Sequence, residues 1–138
     1  MLEKIIHAIF KKEPIRIDVG IKHSESLLKV YLKVNGRQCA WIQCVIQSEN
    51  SILIGDILHC NGNTDYNKGY GSRMMNELLD YAKEHNFKYV YGNLSVVDKP
   101  HKDRLHHFYR KFGFIINEYS ELHSNYYGKI ELDLLRQE

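Results

Sequence analysis

The segment Tyr66-Asn67-Lys68-Gly69-Tyr70-Gly71-Ser72 constrains this chain more than any other. A strand-like run ends just before it, at Cys60, and a helix-like run begins at Ser72. Two glycines spaced by one residue at a strand-to-helix junction let the backbone curl tightly. Several N–H groups then aim at one point beside the positive end of a helix dipole, a geometry that binds phosphate or pyrophosphate. A phosphate-bearing cofactor is therefore expected, although a plain tight turn ahead of a helix uses the same two glycines. A third glycine at the dinucleotide-fold spacing is absent, as is Gly-Lys-Ser/Thr, so two better-known phosphate loops are set aside.

The rest of the chain supplies the frame for this loop. Leu2, Ile5, Ile6, Ile9 and Phe10 recur at helical spacing and predict an amphipathic helix ending before Pro14. Ile15, Ile17, Val19 and Ile21 alternate as a strand, and Leu28, Val30, Leu32 and Val34 as a second. Asn35-Gly36 signals a hairpin turn, because both residues tolerate positive φ. Ala40, Ile42, Cys44 and Ile46 mark a third strand, and Ser51 to His59 a fourth, strongly apolar one. Met74, Met75, Leu78, Leu79 and Ala82 form the stripe of a helix running to about Asn86. A strand over Lys88 to Val97 follows, then a loop at Asp98-Lys99-Pro100. The next helix carries Leu105, Phe108, Tyr109 and Phe112 on one face and stops at Gly113. Strands at Phe114 to Tyr119 and Lys129 to Leu135 close the chain. Early hairpins and a central βαβ unit predict a single α/β domain over residues 1–138, with a mixed, mostly antiparallel twisted sheet and helices on both faces.

Composition narrows the function classes. A formal net charge of +2, with basic and acidic residues interleaved, gives no reason to expect nucleic acid as a partner. No apolar stretch approaches the roughly 20 residues of a membrane span, and Glu3, Lys4 and His7 break the first apolar run, so neither a membrane segment nor a signal peptide is expected. Cys39, Cys44 and Cys60 are odd in number and lack Cys-x-x-Cys, which reads as reduced thiols in a cytoplasmic protein. His101, His106 and His107 sit close together, but neither acids nor cysteines complete a ligand set, so no metal is expected. They are placed instead to line an acceptor site or touch cofactor phosphates.

Two motifs in this order and separation resemble those of the GCN5-related N-acetyltransferases, which use acetyl-coenzyme A. The family loop Arg/Gln-x-x-Gly-x-Gly/Ala stands here as Tyr66-Asn67-Lys68-Gly69-Tyr70-Gly71. The later Phe/Leu-Tyr-x-Lys-x-Gly-Phe stands as Phe108-Tyr109-Arg110-Lys111-Phe112-Gly113-Phe114 and matches throughout. The resemblance covers Ser51 to Phe114 well and the flanking strands loosely. Tyr66 replaces the usual Arg/Gln, the loop before the glycines is about two residues longer than usual, and Lys102 stands where many members carry Asn. The helical segment that normally follows the first strand is absent, since only His23 to Glu25 separate two strands. That segment walls the family's acceptor pocket, so an open, shallow acceptor site is expected.

The resemblance implies a division of labour. Backbone N–H groups of Lys68, Gly69, Tyr70, Gly71 and Ser72 anchor the pyrophosphate, with Lys68 and Arg73 adding charge or serving only as surface cations. A backbone N–H near Leu58 or His59, at the end of the fourth strand, polarises the thioester carbonyl, and the same edge pairs with the pantetheine arm. The base that frees the attacking amine is Asp56 or His59. The two are expected on opposite faces of the strand, with at most one toward the cleft; a structural hydrogen bond or a solvent-facing position is the other reading. Tyr109 either protonates the departing thiolate or shapes the pantetheine tunnel. Cys60 is a buried structural thiol or an acyl-carrying nucleophile that direct transfer makes unnecessary.

The expected activity is transfer of an acetyl group from acetyl-CoA, without a metal, to an amine by direct attack. The acceptor is a small amine, an antibiotic-like molecule or a protein amino group. A non-catalytic acyl-CoA-binding module and a structural domain that borrows the fold are the alternatives. A monomer or homodimer fits equally, because strand edges can pair or stay exposed.

Overall fold

A computed structural model of the chain describes residues 14–62 and 68–136. The predicted helix over Leu2 to Phe10 and the residue Tyr66 lie outside the described residues. One sheet of seven strands organises the rest. The strands are β1 (Ile17–Ser24), β2 (Leu27–Val34), β3 (Arg37–Ser48), β4 (Ser51–His59), β5 (Tyr89–Ser95), β6 (Ile115–His123) and β7 (Tyr126–Asp133). Two α-helices follow β4 and β5: α1 (Tyr70–Glu84) and α2 (Lys102–Lys111). The spatial order is β1-β2-β3-β4-β5-β7-β6, and only β4 and β5 run parallel. This is the mixed, mostly antiparallel sheet that the strand pattern predicts.

Local chemistry sets the connections. Asn35 and Gly36 turn β2 into β3 at φ of 52° and 85°, and Val34 pairs directly with Arg37. Glu25 and Ser26 alone join β1 to β2, with Glu25 at φ 54°, so no helical segment separates these strands. At the end of α2, Gly113 takes φ 93°, and the N–H groups of Phe112, Gly113 and Phe114 return to carbonyls of the last turn. The expected loop at Asp98-Lys99-Pro100 is instead part of a 3-10 helix, Val96–His101, which the Ser95 hydroxyl caps by accepting from the Val97 N–H.

The core lies between the sheet and α1. Tyr70, Met74, Met75, Leu78, Leu79 and Ala82 of α1 are buried against Leu28, Val30 and Leu32 of β2, Ala40 and Ile42 of β3, and Ile52 and Ile54 of β4. Full burial of such a side chain contributes about 1.5–3 kcal/mol, so this stripe, rather than the helix's own propensity, holds α1 down. A separate buried contact ties α2 to β7, where His106 Nε2 and the Tyr127 hydroxyl share a hydrogen bond of 2.9 Å. Burial, the largest influence on it, pushes the His106 imidazole below its ordinary value and keeps the pair neutral.

One irregularity positions the site. Ile42 pairs with Ile57, whereas Cys44 pairs with Ile54, so β4 carries one residue more than β3 between these points. The resulting bulge holds Gly55 and Asp56 opposite Gln43. A Cβ on Gly55 would sit 2.8 Å from the Gln43 carbonyl oxygen, closer than side chains tolerate against a backbone atom. Gly55→Ala must therefore shift β4 or β3, and a loss of about 1–3 kcal/mol in a denaturant melt is expected. A variant as stable as the parent would contradict this origin of the bulge.

Candidate active site

Strands β4 and β5 are paired from Ser51↔Tyr89 to Ile54↔Gly92 and no further. Beyond that point β4 stays bound to β3 as far as His59↔Ala40, and β5 stays bound to β7 as far as Ser95. Each strand is thus held by its outer neighbour while the inner edges separate. The parting is a cleft of about 730 Å³, bordered by Gly55 to His59 on one side and Asn93, Leu94 and Ser95 on the other. The N-terminus of α1 and the faces of the 3-10 helix and α2 complete its walls.

Asp56 and His59 both border this cleft. The expectation that only one would do so assumed a continuous sheet; where β4 has lost its neighbour, both of its faces meet the opening. Asp56 is exposed in the bulge, and His59 stacks on Tyr70 with ring centroids 6.4 Å apart. Leu58 is 37% exposed at the same free edge. Cys60 is exposed in the turn after β4, not buried as expected, and its thiol donates to the Gln38 carbonyl.

The glycine loop enters α1 as its motif predicts. Gly69 is the N-cap at φ 77°, a conformation that disfavours side chains, and α1 begins at Tyr70, two residues before the expected Ser72. Gly69, Gly71 and Ser72 line the cleft. A Cβ on Gly71 would lie 3.2 Å from the Phe108 ring, so the absence of a side chain lets α1 and α2 approach. Tyr70 turns inward to the core, Lys68 sits over its ring at 5.9 Å, and Arg73 is exposed on α1. Neither of these two cations lines the cleft.

The cation at this point is Lys111, to which the sequence reading gives no role. Its ammonium donates to the Ser72 hydroxyl at 2.7 Å and lies 5.4 Å and 5.2 Å from the centres of the Phe108 and Phe112 rings. Arg104, His107, Phe108 and Lys111 all line the cleft at helical spacing on one face of α2. That spacing was the available signal. His101 borders the cleft from the 3-10 helix, whereas His106 is turned away into its pair with Tyr127.

Tyr109 lines the cleft from the last turn of α2 and is only 6% exposed. The rings of Phe108 and Phe114 hold it edge-on, each with centroids 5.4 Å away. Burial raises its phenol above the ordinary value of 10.0, and the charges of Asp98, Cys44 and Asp56 add to the shift. The hydroxyl therefore keeps its proton throughout the neutral range and can donate it to a base formed beside it.

A sheet parted between two parallel strands, with a helix N-terminus and a protonated tyrosine at the opening, defines a class that binds an extended, phosphate-bearing ligand along a strand edge. The profile described as the Acetyltransferase (GNAT) family matches residues 10–114, and the chain belongs to that family. A 66-residue stretch is 41% identical to the uncharacterized protein YocC of Bacillus subtilis strain 168, covering 48% of this chain but only 37% of that protein. Ard1 from Thermoplasma volcanium is similar in structure, with a TM-score of 0.62 and 20% identity over 98% of this chain and 79% of its own. A GNAT family acetyltransferase from Elizabethkingia anophelis, solved with acetyl-CoA bound, gives a TM-score of 0.63 and 15% identity over 89% and 100% of the two chains.

The raised phenol makes a pH prediction. In an ultraviolet titration of tyrosine ionisation, parent and Tyr109→Phe proteins should give the same curve up to about pH 10, with the variant falling short only above it. A deficit in the variant below that pH would show Tyr109 ionising like an exposed phenol.

Proposed function

We propose that the chain is a single-domain, acetyl-CoA-dependent N-acetyltransferase that passes the acetyl group directly to an amine. The observation that carries this reading is the free inner edge of β4 beside Tyr109. Backbone N–H and C=O groups left unpaired along Gly55 to His59 can bond the amides of an extended pantetheine arm as another strand would. One such N–H, near Leu58 or His59, is placed for the thioester oxygen as it gains charge. The backbone of Lys68 to Ser72 and the N-terminus of α1 suit the pyrophosphate, with the Lys111 ammonium in the place intended for Lys68 and Arg73.

The reaction needs two protons removed from the nitrogen, one before and one after attack, and one supplied to the sulfur. An amine arrives as an ammonium; Asp56, or His59 in its place, accepts its proton directly or through water. The freed nitrogen attacks the acetyl carbon and loses its second proton to the same base, the C–S bond breaks, and the thiolate takes the Tyr109 proton. No step calls for a metal. The acetyl-CoA bound in the Elizabethkingia relative supports the choice of cosubstrate. Three free thiols support the reading of a cytoplasmic protein; no helix among the described residues is long and apolar enough to cross a membrane.

The test has two parts. Acetyl-CoA should raise the melting temperature, and Lys111→Ala should weaken its binding about tenfold, the size of one lost charge-assisted hydrogen bond. With an amine that supports turnover, Tyr109→Phe should lower kcat by about 100-fold or more while acetyl-CoA still binds. Cofactor binding with no thiol release from any amine would favour the acyl-CoA-binding alternative, toward which the missing wall between β1 and β2 points. No thermal shift at all would end both readings.

A further inference from the structure

Two carboxylates enter the cleft from separate elements. Asp56 comes from the bulge of β4 and Asp98 from the first turn of the 3-10 helix after β5. Among the described residues neither has an ion-pair or hydrogen-bond partner, whereas Asp18, Glu118, Glu131 and Asp133 each hold a Lys or Arg. The cleft's lysine is engaged elsewhere, with Lys111 donating to Ser72 at the α1 end. Tyr109, 6% exposed, lines the same cleft, and its hydroxyl has no hydrogen-bond partner among the described residues. Both carboxylates line the cleft with Tyr109, and after burial their charge adds to its resistance to ionisation.

Acetyl transfer uses only one of these acids. The attacking nitrogen loses two protons in turn, one before attack and one after it, and Asp56 can accept each and hand it to solvent. Asp98 is left as a second negative charge without an ion pair among the described residues, in the same cleft that an ammonium must enter and that Arg104, His101 and His107 also line. A charge so placed attracts a cation and gains more as the cleft fills and water leaves. Leu58 and Tyr126, 37% and 40% exposed, add apolar surface to the same cleft. The volume of about 730 Å³ must also admit part of the cosubstrate, which leaves room for a small acceptor.

We propose that the acceptor is a small aliphatic diamine, with one nitrogen at the acyl carbon beside Asp56 and the other held as an ammonium by Asp98. The inference rests on the acetyltransferase reading above and adds its substrate class. In the reaction the N–C bond forms and the C–S bond breaks. Asp56 passes two protons from the nitrogen to solvent in turn, one from the ammonium before attack and one from the tetrahedral intermediate, and the thiolate takes the Tyr109 proton, which solvent restores. The second ammonium is unchanged, so the products are the monoacetylated diamine, coenzyme A thiol and one proton.

The experiment compares 1,4-diaminobutane with butylamine at low ionic strength, following thiol release from acetyl-CoA. The diamine should show a kcat/KM higher by about tenfold, beyond the factor of two that its second nitrogen supplies by number. Asp98→Asn should lower kcat/KM for the diamine about tenfold more than for butylamine, with the difference carried by KM. Equal use of the two amines, equal damage to both by Asp98→Asn, or turnover of neither with acetyl-CoA bound would each overturn the diamine inference alone. A thermal-shift assay run alongside separates the failures, because no response to acetyl-CoA overturns the acetyltransferase reading and the inference with it.

Discussion

The close approach of Gly55 to the Gln43 carbonyl is the constraint on which the rest of the site depends. Only a residue without a Cβ fits there, and its presence lets β4 carry an extra residue against β3. A bulge bends and twists its strand. Immediately past this one, β4 and β5 cease to pair, although each remains in the sheet through its outer partner. A slot opened this way has rigid walls and an unsatisfied backbone edge. Buried backbone groups are costly to leave unpaired, so a site that must bond an extended amide-bearing ligand keeps such an edge open to solvent until the ligand arrives.

The two sides of the slot differ in charge. Arg104, His107 and Lys111 face it from α2, with Lys111 fixed on the first turn of α1, whereas Asp56 and Asp98 enter from the strand ends and the 3-10 helix. On the proposed function, a polyanionic cosubstrate and a cationic acceptor would be drawn to different parts of one cavity. Tyr109 belongs to both sides. Packing against Phe108 and Phe114 fixes its ring, and its seat on α2 is held by the neutral His106–Tyr127 contact one turn earlier. Keeping that pair uncharged avoids placing an imidazolium near the phenol, whose proton the mechanism needs.

Much of this was legible in the sequence where the cause is local. The Asn35-Gly36 turn, the bounds of β4 at Ser51 and His59, the buried stripe of α1 and the stop at Gly113 depend on residues within a few positions of one another. The motif around Tyr109 was equally plain. Features that depend on distant partners were not. The bulge at Gly55 is decided by a carbonyl on the neighbouring strand, and the Lys111–Ser72 bond joins two helices through residues 39 positions apart. Pro100 and Asp98 suggested a loop, yet proline fits a short 3-10 helix, and that helix brings Asp98 to the cleft. Lys68 and Arg73 bring charge near the glycines, but Lys68 lies over the Tyr70 ring, Arg73 is exposed on α1, and neither lines the cleft.

The central claim is that the free edge of β4 receives the cosubstrate as a strand would, and amide hydrogen exchange with and without acetyl-CoA tests it most directly. The account predicts slowed exchange in the segment from Ile57 to His59 and at the start of α1, with the β1–β2 hairpin unchanged. Stabilisation by acetyl-CoA with no slowing between Ile57 and His59 would contradict it, because the ligand would then be bound without using the edge that the bulge leaves open.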